Sequence, residues 1–126
     1  MMTTIFALAS GAPPAAIAVI RISGPGAGGA LEALCGRLPA PRRAQVVRLV
    51  DPADGQLLDR ALALWLPGPG TATGEDCAEL HLHGGRALVA AVERTLGDLP
   101  GLRHAGPGEF TRRAFANGRI DLAEAE

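Results

Sequence analysis

The sequence predicts an α+β domain, a mixed or antiparallel sheet with helices packed on it, and two observations carry that prediction. Apolar periodicity yields the element order β-β-α-β-β-β-α-β-α. Within that order, Asp51-Pro52-Ala53-Asp54-Gly55 joins two strand-like segments as an antiparallel hairpin. A doubly wound sheet would need parallel strands joined by crossover helices instead. At 126 residues the chain is long enough for one domain with a real core.

The elements follow in order. Ile5 to Ala9 forms a short strand, and Gly11-Ala12-Pro13-Pro14 breaks it before a second, Ala16 to Ile22, rich in β-branched residues. Period two sets Ile17, Val19 and Arg21 on one face. Ser23-Gly24-Pro25 turns the chain into a helix with Ala27, Ala30, Leu31, Leu34 and Cys35 at helical spacing, stopped by Gly36. A Pro-rich connector, Leu38 to Arg43, leads to the hairpin strands Ala44 to Val50 and Leu57 to Leu66. The segment Pro67 to Gly74 is too rich in Gly and Pro for regular structure, and loops of this kind on a rigid scaffold often carry function. Cys77 to His83 alternates as a strand, and Gly84-Gly85 opens a helix from Arg86 to Leu96 whose Leu88, Val89, Val92 and Leu96 form the buried stripe.

A strand at Leu102 to Ala105, a break at Gly106-Pro107-Gly108 and a helix from Glu109 to Ala116 complete the order. Asn117-Gly118 is expected to close that helix in a left-handed turn. Asp121 and Glu124 form a capping box, so another helix is expected to begin there. Since about five residues cannot hold a helix alone in water, the chain reads as an N-terminal fragment.

Twelve Arg against 13 Asp and Glu, with no Lys, leave a net charge of −1. That balance argues against a nucleic-acid module, which neutralises phosphates with many cations. The scarcity of aromatics, Phe6, Phe110, Phe115 and Trp65 only, argues against stacking on single-stranded bases. Cys35 and Cys77 make no C-x-x-C motif, and the Met1 end has no basic region followed by an apolar run, so a reducing, cytoplasmic setting is expected, with both thiols packed rather than reactive. The apolar run Ala15 to Ile20 is too short to span a membrane.

Three constellations bear on chemistry. Gly24-Pro25-Gly26-Ala27-Gly28-Gly29 satisfies G-x-G-x-x-G, with Asp51 near the position of a ribose-binding acid, but the hairpin excludes the parallel crossover that a dinucleotide fold requires. Glu79, His81 and His83 share one strand face, yet three such positions span roughly 13 Å, too far to converge on one metal ion. The imidazoles then read as one hydrogen-bonded in a turn and one partly solvated. Glu79 in mid-strand reads as a buried charge that needs a cation or a ligand donor, and Arg21 poses the same question with opposite sign. An internal Arg21–Glu79 ion pair and a ligand site stand as equal alternatives. Gly84-Gly85 reads as a tight turn before it reads as an anion site, and no G-x-x-x-x-G-K-[ST] is present for a nucleoside triphosphate.

Seen in chain order, Thr4-Ile5, Arg21-Ile22-Ser23-Gly24-Pro25, Leu66-Pro67-Gly68-Pro69, Thr73-Gly74-Glu75-Asp76, Glu79-Leu80-His81-Leu82-His83-Gly84-Gly85, Pro107-Gly108-Glu109-Phe110-Thr111-Arg112-Arg113-Ala114-Phe115 and Asn117-Gly118-Arg119-Ile120-Asp121-Leu122 closely resemble the N-terminal domain of the MnmE (TrmE) family of tRNA-modification GTPases. The resemblance implies a fold like the tetrahydrofolate-binding domain of the glycine cleavage T protein. It implies a folate-binding and homodimerisation domain at residues 1–119, with 120–126 starting a helical domain. It further implies an FAD-dependent partner, MnmG, and aminomethyl-type modification at C5 of the wobble uridine of tRNA, with a tetrahydrofolate derivative (5-formyl- or 5,10-methylene-tetrahydrofolate) in the one-carbon donor role. GTP, Mg and K would belong to a GTPase domain outside these residues, and tRNA would be held mainly by other domains. The family's folate-contacting positions fall on Arg21, Glu79 and Arg119. A pterin offers a ring N–H and an amino group side by side, which suits Glu79, while Arg21 and Arg119 would meet the pterin carbonyl or the glutamyl carboxylates. The family often has Lys at the position of Arg119, and its Gly-rich run after the first strand is poorer in Gly here, at Gly11-Ala12-Pro13-Pro14. No catalytic residue and no metal ligand is assigned. The alternative is a structural dimerisation module without folate binding.

Overall fold

The structure, a computed structural model, describes residues 3–10 and 15–120. The interrupting Gly11-Ala12-Pro13-Pro14 segment and the Asp121–Glu124 capping box lie outside the described residues.

Six strands form one sheet in the order β3-β4-β5-β2-β1-β6. They are β1 (Thr4–Leu8), β2 (Ala15–Ser23), β3 (Gln45–Val50), β4 (Leu57–Leu66), β5 (Cys77–Gly84) and β6 (Leu102–His104). Every neighbouring pair is antiparallel except β1 with β6. The helices are α1 (Ala27–Cys35), α2 (Arg86–Gly97) and α3 (Glu109–Ala116). The fold is therefore the expected α+β type with a mixed sheet. The β3–β4 hairpin turns as its sequence predicts, with the Asp51 amide donating to Gln56 O at 2.9 Å and Gly55 at φ 74.

Period two divides the sheet into two unlike faces. Ala18, Ile20 and Ile22 of β2, Ala61 and Ala63 of β4, and Ala78, Leu80 and Leu82 of β5 are buried on one face. Onto that face pack Leu31 and Leu34 of α1 and Val89, Val92 and Leu96 of α2. The alanines keep the strand surface low, so α1 and α2 approach closely and the core closes as one cluster. On the other face Ile17, Val46 and Leu62 are exposed.

The glycine run after β2 has a packing explanation. Gly24 sits at φ +136, and a Cβ there would lie 2.7 Å from Thr4 Cα; one on Gly28 would lie 3.0 Å from the Trp65 ring. The run lets α1 start against β1 and lets Trp65 slide beneath it. At the end of α3 only Gly118 enters the left-handed region, at φ 71. Asn117 stays at φ −93 because its amide still bonds Arg113 O, at 3.0 Å, and its side chain donates to Thr73 O at 2.8 Å. Burial pushes the Cys35 thiol up to about 11, which keeps it protonated and unreactive near neutrality.

Candidate functional site

The face that α1 and α2 leave open carries the charged residues. Because Arg21 pairs in register with Glu79, and Glu79 with Leu64 on its other side, all three stand on that face. Arg21 Nε and Nη2 donate to Glu79 Oε2 at 3.3 and 3.2 Å. Glu79 Oε1 lies 3.0 Å from His81 Nε2. The side chains of Arg21 and Glu79 are 37% and 18% exposed, so the expectation of buried charges is corrected: with neither α1 nor α2 over this face, the pair stays in partial contact with solvent. His83 bonds Asp59 through Nδ1 at 2.9 Å and its side chain is 77% exposed. The reading of one solvated histidine holds, since His83 is 77% and His81 28% exposed, but the placement of the hydrogen-bonded one in a turn is corrected, because both lie in β5. His81 is held inside the strand by Glu79, and His83 is tied to Asp59 although exposed. Among the described residues no group of three or more His, Cys, Asp and Glu is placed to hold a metal.

Toward its Ser23 end the same face is covered. The segment 67–76 and α3 fold over it, and the contact is polar rather than greasy. Ser23 Oγ donates to Glu75 Oε1 at 2.7 Å, so its one proton is used and the Thr73 hydroxyl, also 2.7 Å away, donates to Ser23. Arg113, with its side chain only 9% exposed, pairs with Glu75 at 3.2 Å and Glu109 at 3.2 Å and donates to Thr3 O at 2.7 Å. Glu109 in turn bonds Arg103 and the Gly106 amide. Sequence reasoning did not assign Arg113 or Glu75 a role. The one available signal was the i,i+4 spacing of Glu109 and Arg113 on α3.

Arg103, with smaller help from the Gly106 amide, holds the Glu109 carboxyl down to about 2. A folded-state value below the ordinary carboxylate value near 4.5 means its contribution to stability is complete above that value and is lost as pH falls toward 2. Acid titration followed by circular dichroism should show stability declining from about pH 4.5 to about pH 2, and Glu109→Gln should flatten that decline.

Arg119 is not joined to the Arg21–Glu79 pair. Its Nε donates to Thr71 O at 2.9 Å, and it lines a separate cavity with Arg42, Leu66 and Thr71. Gly74 makes this seat possible. It lies at φ +80, and a Cβ there would come within 2.8 Å of Asn117 Cβ and 3.2 Å of Arg119 Cγ. Gly74→Ala is expected to cost about 2–3 kcal/mol in urea unfolding, from left-handed strain plus the clash. Gly36→Ala, at φ +80 with nothing within 4 Å of the added atom, should cost only about 1 kcal/mol.

Fold and site together define an α+β domain that presents one sheet face, partly roofed by a polar-clamped loop and helix. The family model for the GTP-binding protein TrmE N-terminus matches residues 4–119, and the chain belongs to that family. It is 75% identical over 126 residues to the tRNA modification GTPase MnmE of Novosphingobium aromaticivorans, covering 100% of this chain and 29% of that protein. Against the protein of the same name from Erythrobacter litoralis it is 73% identical over 125 residues, covering 99% and 29%. Against that from Methylorubrum populi it is 64% identical over 123 residues, covering 98% and 28%. The chain therefore spans about 29% of the length of the first two relatives. No described helix is long and apolar enough to cross a membrane.

Proposed function

We propose that this domain binds a tetrahydrofolate derivative and forms a homodimer within a tRNA-modification GTPase. The observation that carries the reading is Glu79: a carboxylate in the middle of an open sheet face, flanked by a guanidinium, with Oε1 bonded among the described residues to His81 alone. The donor set fits a reduced pterin. Oε1 retains a lone pair for one N–H, and the two Arg21 contacts on Oε2 are long enough, at 3.2 and 3.3 Å, to yield one position to a second N–H. Arg21, released in part, then faces the pterin carbonyl. Bound folate supplies the one-carbon unit for aminomethyl-type modification of the wobble uridine; the protein's part is to hold and orient it.

Dimerisation is supported by the apolar end of the same face. Val46 pairs with Leu62, Leu62 with His81, and His81 with Val19, so the exposed Ile17, Val46 and Leu62 belong to one continuous surface. GTP hydrolysis with Mg and K, the FAD-dependent partner MnmG and most tRNA contacts belong to the rest of the protein, in a cytoplasmic setting. On this reading residues 1–119 are the folate-binding and dimerisation unit, and 120–126 lead into the helical domain.

The closed Arg21–Glu79 pair also favours a second reading, a dimerisation module that has no ligand. Titration calorimetry with 5-formyltetrahydrofolate, beside light scattering for mass, separates them. Saturable binding by a dimer supports the folate reading. A folded dimer without binding leaves the structural module.

A further inference from the structure

A cavity of about 500 Å³ lies beside the Glu79 cluster, bounded by the connector after α1, the end of β4, the segment 67–76 and the residues after α3. Two guanidiniums line it, those of Arg42 and Arg119, together with Leu66, Thr71 and Ile120, and among the described residues no carboxylate does. Each arginine is fixed by a single side-chain hydrogen bond to a backbone carbonyl: Arg42 Nη2 to Pro67 O at 2.7 Å, Arg119 Nε to Thr71 O at 2.9 Å. Every other guanidinium N–H of the two has no partner among the described residues. A pair of anchored cations with donors to spare, around a hollow that no described carboxylate lines, has the chemistry of an oxyanion site.

Arg42 is held there against its own backbone preference. It is the one described non-glycine residue at positive φ, 62°, and its amide donates to Trp65 O at 2.8 Å. Left-handed backbone at a side-chain-bearing residue persists where the surroundings over-determine it, and such residues gather at ligand clamps. The bridge between Pro41 and Trp65 of β4 helps to set this path of the chain. The effect of the conformation is to bring the Arg42 side chain over Gly70, 3.8 Å from where a Cβ would stand.

Position supplies the remaining step. Leu66 follows Leu64 on the same strand face, and Leu64 is the register partner of Glu79. The cavity therefore opens one strand over and one pleat along from the carboxylate, roughly 8 Å by strand spacing and rise. Leu66 and Ile120 give it an apolar wall. An elongated ligand with a donor-rich ring at Glu79, an aryl middle and a dianionic end would meet complementary chemistry along its whole length.

We propose that the Arg42–Arg119 cavity receives the glutamyl carboxylates of the folate, with Arg42 as a binding residue beside Arg119. This rests on the folate reading, names Arg42 as new to it, and assigns Arg119 to the carboxylates rather than to the pterin. Binding of 5-formyltetrahydrofolate and of 6-methyltetrahydropterin, which has the ring but no glutamyl end, is measured by calorimetry on the full chain. Arg42→Met and Arg42→Gly are the variants; glycine accepts φ 62 without strain, so it removes the arm and keeps the backbone. Both should weaken the folate at least about 10-fold and leave the pterin within about twofold. Unchanged folate affinity in Arg42→Gly overturns the assignment while the folate reading stands. Equal losses for folate and pterin also overturn it, because the arm would then act on the ring or on the fold. If the parent chain binds neither probe, the folate reading itself fails, and this assignment with it.

Discussion

Replacing Glu79 with Ala is expected to weaken 5-formyltetrahydrofolate binding at least about 100-fold while shifting the melting temperature by about 2 °C or less. Two ligand N–H groups on one carboxylate are charge-assisted, and each such bond contributes about 1.5–3 kcal/mol, so losing both exceeds a hundredfold in affinity. The stability effect is small for a separate reason. Arg21 is 37% exposed and Glu79 18%, their contacts are long, and ion pairs this open to solvent contribute about 0–1 kcal/mol. Both the affinity and the melting temperature decide between the readings. A melting temperature lowered by many degrees with folate affinity unchanged would assign Glu79 to structure, as a module without ligand requires. Glu79→Gln sharpens the comparison, because the amide still offers one oxygen but answers one N–H with an NH2. It should lose most of the binding and almost none of the stability.

How far the sequence carried depends on whether the information is local. The hairpin at Asp51 to Gly55 and the helix Glu109 to Ala116 were legible because turn chemistry and apolar spacing act within a few residues. Even the false signal at Gly24 to Gly29 was local, and it fell to the antiparallel strands on both sides of β2. Which sheet face would stay uncovered was not legible. Period two separates Arg21 and Glu79 from Ile20 and Leu80, but α1 and α2 pack over only one of the two faces, and that choice is made by tertiary contacts. Charges read as buried are therefore partly in solvent. Arg119 was named without a location, since its seat depends on the segment 67–76, whose path is set by Ser23, Glu75 and Arg113 from three distant parts of the chain. Arg42 gave no sign at all in the sequence, because a left-handed backbone angle at an arginine follows from its surroundings and not from its residue type.

The Arg113 clamp on Glu75 and Glu109 carries the other large expectation. Arg113→Met should destabilise the domain by about 3–5 kcal/mol, the range for removing one partner of a buried ion pair. The side chains of Arg113, Glu75 and Glu109 are 9%, 10% and 12% exposed, so water cannot replace the lost guanidinium. Glu109 keeps Arg103, but among the described residues Glu75 keeps only the Ser23 hydroxyl as a side-chain donor. The uncompensated charge therefore sits on Glu75, and the melting temperature should fall by on the order of 10 °C. Adding Glu75→Gln to Arg113→Met should restore part of the loss, because the stranded charge is gone; a double variant as damaged as the sum of the two single ones would show that the pair is not the cause. The consequence reaches the binding face as well. Asn117 and Arg119 hold the segment 67–76 from the end of α3, through Thr73 O and Thr71 O, and α3 is itself fastened by Arg113. Hydrogen exchange should accordingly quicken at the amides of Gly74 and Glu75 in Arg113→Met, while the core amides of β2 and β5 slow or quicken only with global stability. Equal acceleration everywhere would reduce Arg113 to a general stabiliser, whereas a local effect makes it the residue that keeps the roof over the Glu79 face in place.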